Sequence, residues 1–118
     1  MMIAVHFNRL IALDDNQCET ARYDAPFSSS RMIIADYPVA EAAFRTFVKQ
    51  INGQPNRAWH QKILNPALHV DVREHLADGL SSIEWRALYE AASAAKVRSV
   101  RITYQGQTVS YDRPINPL

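Results

Sequence analysis

Cysteine is nearly absent from the 118 residues: Cys18 stands alone, so no internal disulfide can staple the chain and an apolar core has to hold it. Glycine is scarce at three and proline numbers six, which excludes collagen-like and low-complexity architectures. Neither sign of charge prevails, because thirteen Lys and Arg face twelve Asp and Glu for a formal charge of +1. A polyanion would find no basic footprint here, and nucleic acid is not expected as a partner. No apolar run approaches the roughly 20 residues that span a bilayer, and the opening MMIAVHFNRL lacks the basic start and long apolar stretch of a secretory signal. The sequence therefore predicts a cytoplasmic protein without a transmembrane segment. What is present, 47% hydrophobic and 21% charged residues, suits one globular domain of roughly 100–150 residues. Residues 1–118 are read as that domain, with a short tail frayed from about residue 113, where Pro114 and Pro117 fall.

Periodicity supplies the elements. Ile3-Ala-Val-His-Phe7 alternates, Leu10-Ile-Ala-Leu13 resumes after Asn8-Arg9, and the pair predicts a β-hairpin. Thr20–Tyr23 reads as a short strand and Met32-Ile-Ile-Ala35 as a better one. Asp36 suits an N-cap and Pro38 the first turn of a helix, whose apolar stripe is Val39, Ala43, Phe44, Phe47, Val48 and Ile51 and whose end is Asn52-Gly53. Residues 54–65 form a connecting loop around Trp59. Residues 67–73 alternate strictly, placing Leu68, Val70 and Val72 on one face and His69, Asp71 and Arg73 on the other. Ser81-Ser-Ile-Glu84 is a capping box that opens a helix running to about Lys96, with Ile83, Ala87, Leu88, Ala91 and Ala95 as its inner face. Residues 99–104 and 108–111 make a closing hairpin around Gln105-Gly106-Gln107. The order is βββαβαββ, an α/β arrangement with two helices packed on a mixed sheet, since a helical crossover returns the chain parallel to the strand it left. Ile33, Val70 and Val100 are expected on neighbouring central strands.

Two stretches carry a family likeness. Residues 32–51, MIIADYPVAEAAFRTFVKQI, resemble the MreB-type bacterial actin segment that reads GVIADF, then a helix, then FIKQ. Residues 79–100, GLSSIEWRALYEAASAAKVRSV, are similar to that family's next helix, G-x-x-x-x-E-x-R-A-x-x-E-x-A followed by a strand. The resemblance covers about residues 30–102 and implies subdomain IA of that family, a ribonuclease-H-like half domain. These are scaffold motifs that say little about chemistry. In actin-like ATPases an Asp-x-Gly-Thr turn in the first hairpin holds nucleotide phosphates; here the turn reads His6-Phe7-Asn8-Arg9, without the glycine or the aspartate. The second half of the nucleotide cleft has no counterpart in the sequence. The resemblance thus implies the fold without ATPase activity, with no cofactor and no catalytic residue.

Other chemistry was weighed on the residues themselves. His69 and Asp71 share a strand face with Glu74 and His75 close by, but neighbours two apart on a strand stand about 7 Å from each other, and no partner sits at a metal-ligand spacing. A ribonuclease-H-type nuclease needs carboxylates on the first strand, first helix and fourth strand to hold two metal ions. Glu41 and Asp71 supply two; the first strand offers only His6, and Asp14 lies on the next strand. A small metal-dependent hydrolase or nuclease using Glu41, Asp71 and His69 is the alternative reading. Cys18 has no activating neighbour. The leading expectation is a non-catalytic interaction module that binds MreB or another cytoskeletal protein and modulates cell shape or filament assembly. Its contact residues are expected to be Trp59 in the loop and, on the outer side of the second helix, Arg86, Tyr89 and Glu90 with part of Trp85, a composition suited to an interface, although Trp85 at the helix start also suits a hydrophobic staple with Leu80 or the core.

Overall fold

Alternating strands and two amphipathic helices assemble around one apolar layer. A computed structural model describes residues 1–53, 65–76 and 79–109; the Trp59 loop, residues 110 and 111 of the closing hairpin and the tail from 113 lie outside the described residues. The elements are β1 (Met2–His6), β2 (Arg9–Leu13), β3 (Glu19–Asp24), α1 (Tyr37–Asn52), β4 (Ala67–Val72), α2 (Ser82–Ser93), β5 (Ser99–Tyr104) and β6 (Gln107–Val109). They form a mixed six-stranded sheet in the order β3-β2-β1-β4-β5-β6. β1–β2, β2–β3 and β5–β6 pair antiparallel, whereas β1–β4 and β4–β5 pair parallel.

This topology explains where the helices go. The chain moves from β3 through α1 to β4 and from β4 through α2 to β5, in the same direction across the sheet. Crossovers of one handedness that travel the same way must lie on the same face. Both helices accordingly cover the face carrying Ile3, Val5, Leu10, Ala12, Leu68, Val70, Val72 and Ile102, and Phe44, Phe47 and Leu88 fill the layer between. The opposite face, with Met2, Ile11, Leu13, His69, Asp71, Arg101 and Thr103, carries no helix among the described residues. No helix of the described residues is long and apolar enough to cross a membrane.

Local signals account for most boundaries. Asp36 caps α1, its side chain accepting from the Val39 N–H at 3.3 Å, and Pro38 occupies the first turn, where its missing N–H costs nothing. The β5–β6 turn is two residues, Gln105 and Gly106, with φ of 51° and 79°, so Gln107 is already in β6 opposite Tyr104. Two positive φ angles in a two-residue hairpin match the right-handed twist of the strands.

One expected strand is not formed, while the short one read at Thr20–Tyr23 is the third strand of the sheet. Residues 32–35 are not in the sheet, and the third strand is Glu19–Asp24, so Ile33 does not flank Val70, while Val100 does sit on the neighbouring strand. The apolar run is nonetheless buried: Ile33 and Ile34 enter the core. Its backbone groups are met outside a ladder. The Ile33 N–H donates to the Glu84 carboxylate, its carbonyl accepts from Ser28 Oγ, and the Ala35 and Asp36 N–H groups both reach the Phe27 carbonyl. Apolar character marks burial, and strand pairing needs a free edge as well.

Candidate functional site

The second helix has a different phase from the one expected. Its buried residues are Glu84, Trp85, Leu88, Ala91 and Ala92, joined by Ala95 beyond the helix. At 100° per residue these span an arc of roughly 120° centred on Leu88. Ile83, expected inside, is 76% exposed, and Trp85, read as a staple or core residue with part of its ring on the outer side, is 4% exposed. The helix ends at Ser93, short of Lys96, where Ala94 and Ala95 turn back onto the Ala91 and Ala92 carbonyls.

Glu84 lies on the inner side in this phase. Ser81 caps the helix as expected, its Oγ accepting from the Glu84 N–H at 3.1 Å. The glutamate side chain does not return to Ser81 to close the box. It turns inward, and Oε2 accepts the Ile33 N–H at 2.9 Å. With residue 84 in the core, 85 and 88 lie inside beside it and 83 faces outward.

The outer surface of α2 therefore consists of Ile83, Arg86 and Glu90, with Ser82 and Ser93 at its ends. Arg86 Nε lies 3.7 Å from Glu90 Oε2 in an exposed i,i+4 pair, worth about 0.3–0.5 kcal/mol. Tyr89 lies on the flank, half-buried, with its ring stacked on Trp85 at a centroid distance of 5.9 Å and an interplanar angle of 12°. Of the residues expected to form one stripe, the structure brings Arg86 and Glu90 together outside and Trp85 and Tyr89 together at the core margin. Trp59 is outside the described residues. Ile83 was missed because an isoleucine at a helix start reads as an inner residue on hydrophobicity alone.

The first hairpin turn is filled by its own protein. Phe7 and Asn8 form it, and Asn8 takes the left-handed conformation at φ 58°, which asparagine tolerates better than most residues. The Phe7 N–H donates to Glu74 Oε2 at 3.3 Å, and the same carboxylate oxygen lies 3.1 Å from His6 Nδ1. The Asn8 N–H donates to Ser28 Oγ at 3.0 Å, and Asn8 Oδ1 accepts from the Ser28 N–H at 2.7 Å. The two backbone donors that could meet a phosphate are engaged, one of them by an anion.

The sheet face opposite α1 and α2 carries a polar chain. Thr103 Oγ1 donates to Asp71 Oδ1 at 2.6 Å and lies 2.9 Å from His69 Nε2. Its one proton is committed to Asp71, so His69 Nε2–H must be the donor to Thr103. Nδ1 is then the acceptor for Arg101 Nη2 at 3.1 Å, leaving a neutral imidazole. Burial, aided by the Arg101 guanidinium, lowers the His69 pKa against the opposing pull of Asp71. Arg73 closes the other end, donating to Asp71 Oδ2 and Gln17 Oε1. Every polar group of the chain is thus bonded to another.

These placements separate the carboxylates of the hydrolase reading. Asp71 belongs to the sheet face opposite the two helices, whereas Glu41 is on α1 across the sheet, near the Tyr37 hydroxyl at 3.3 Å and Arg45 at 3.5 Å. Asp14 accepts from the Asn16 and Cys18 N–H groups of its own turn. Among the described residues no three His, Cys, Asp or Glu side chains converge on a point where a metal ion could sit.

No family model matches the chain, and no solved structure matches it. A curated relative does: the chain is 30% identical over 105 residues, 86% of its own length and 80% of the relative's, to Uncharacterized protein YjaA of Escherichia coli (strain K12). At that identity and coverage, the chain belongs to the YjaA family.

Proposed function

We propose that the chain is a non-catalytic interaction domain on a ribonuclease-H-like scaffold of the MreB subdomain IA type, acting in the cytoplasm on a bacterial actin or another cytoskeletal protein. The strand order β3-β2-β1-β4-β5 with β6 as an added edge supports the scaffold. The observation that carries the non-catalytic reading is the occupied hairpin turn. In an actin-like ATPase its N–H groups would meet phosphate, and here Glu74 takes the Phe7 N–H. An anion brought there would lose that donor and meet a carboxylate.

The docking surface in this reading is the outer side of α2, where exposed Ile83 stands beside the Arg86–Glu90 pair. An apolar anchor within a charged rim is the usual anatomy of such contacts. Co-sedimentation of the purified chain with polymerising MreB is the test. Ile83→Asp and Arg86→Glu should keep folding stability within about 0.5 kcal/mol and weaken binding by about 1–2 kcal/mol. Failure of the wild-type chain to sediment with filaments would remove the partner. Calorimetric binding of ATP at micromolar affinity would remove the non-catalytic reading.

A further inference from the structure

A cavity of about 450 Å³ opens at the C-terminal end of α1, lined by Arg45, Val48, Lys49, Asn52, Gly53 and Lys96. None of Ile83, Arg86 and Glu90 lines it, and nothing in the proposed interaction uses it. Its volume is in the lower part of the range of small-molecule sites, about 300–1,000 Å³. Among the described residues, three of the six that line it are cations, although the whole chain carries only a formal +1. The positive charge is therefore gathered at this place and is not a sample of a generally basic surface.

Those cations are largely uncommitted. Arg45 shares a 3.5 Å contact with Glu41, and among the described residues neither Lys49 nor Lys96 has an ion-pair partner. A lysine in the last turn of a helix also complements the roughly −0.5 charge of the macrodipole there. That accounts for Lys49, which occupies the last turn of α1. It leaves Lys96, which arrives from the segment after α2, and it leaves the cavity itself. One more group asks for a partner: Asn52 Oδ1 is buried and has no hydrogen bond. A buried amide oxygen left so costs about 1–3 kcal/mol, and such an atom in a native fold calls for an explanation. Val48 contributes a buried apolar wall.

We propose that this cavity binds a small organic phosphate bearing a hydroxyl group. Lys49 and Lys96 neutralise the dianion, and Asn52 Oδ1 accepts the hydroxyl proton. The carbon skeleton lies against Val48. Two ammonium groups match two negative charges, and the orphaned acceptor selects a ligand that also carries a donor.

The test uses the full chain in ¹⁵N NMR titrations at low salt with glycerol 3-phosphate, sulfate (a dianion without a donor) and glycerol. Glycerol 3-phosphate should give saturable shifts at the Gly53 amide and the Asn52 side-chain amide, and should bind more tightly than sulfate. Glycerol should give none. Lys49→Gln and Lys96→Gln, both at exposed positions, should each weaken glycerol 3-phosphate about tenfold, the loss of one charge-assisted hydrogen bond, while the Lys→Arg variants retain it. Asn52→Ala should bring the affinities for glycerol 3-phosphate and sulfate together. Absence of saturation, equal binding of sulfate by the wild-type chain, or unchanged binding by the double Lys→Gln variant would each overturn the proposal. None of these outcomes bears on filament co-sedimentation.

Discussion

Replacing Glu84 with alanine removes the one carboxylate that, among the described residues, is built into the core. Glu84 is 6% exposed and Ile33 is fully buried, so the 2.9 Å contact between the Ile33 N–H and Glu84 Oε2 forms where water cannot substitute. A hydrogen bond to a charged group contributes about 1.5–3 kcal/mol, a figure that overlaps with the cost of leaving the Ile33 donor unmet. An acidic residue in the first turn of α2 adds about 0.3–1 kcal/mol through the helix dipole. Relief of burying the carboxylate offsets part of this. Glu84→Ala should therefore cost about 2–3 kcal/mol, a large share of the 5–15 kcal/mol typical of a domain. Glu84→Gln keeps an acceptor oxygen and should cost about half as much. Urea unfolding measures the total, and amide hydrogen exchange of Ile33 locates it, because protection there should fall more than at the strand amides of Val70 or Ile102. A loss below about 0.5 kcal/mol, or Ile33 exchange that follows the strands unchanged, would refute the assignment of Glu84 as the tie between the 28–36 segment and α2.

Two further outcomes follow from the packing and the polar face. Phe47 is 1% exposed and its ring lies 5.9 Å from that of Tyr23, so Phe47→Ala should cost about 3–5 kcal/mol in urea unfolding; a loss under about 1 kcal/mol would mean that the stripe of α1 is not a core face. The lowered pKa of His69 means that the unfolded chain takes up its proton first, near about pH 6.5. Its contribution to stability is then complete above that pH and declines as the pH falls toward the folded value. His69→Gln should flatten this part of the stability profile between about pH 7 and 5, and an identical slope in both proteins would count against the neutral, Thr103-bonded imidazole.

Much of this architecture was legible in the sequence because it is written in local chemistry. Asp36 and Pro38 begin α1, Ser81 begins α2, and the alternation of Leu68, Val70 and Val72 fixes which face of β4 is covered. The lack of a glycine and an aspartate in the first hairpin turn was likewise visible in the residues at 6–9. Long-range partners decided the rest. Nothing near Glu84 in sequence announces that its acceptor duty lies 51 residues away at Ile33, in a helix phase that also buries Trp85 and turns Ile83 to solvent. Nor does the spacing of Glu41 and Asp71 tell that two crossovers of one hand place them on opposite sides of the sheet. Thr103 between His69 and Asp71, and Lys96 beside Lys49, are equally products of assembly. Caps and periodicities act within a few residues and so can be read along the chain. Helix phase, face and side-chain convergence depend on groups far apart in sequence, and only the tertiary structure brings them together.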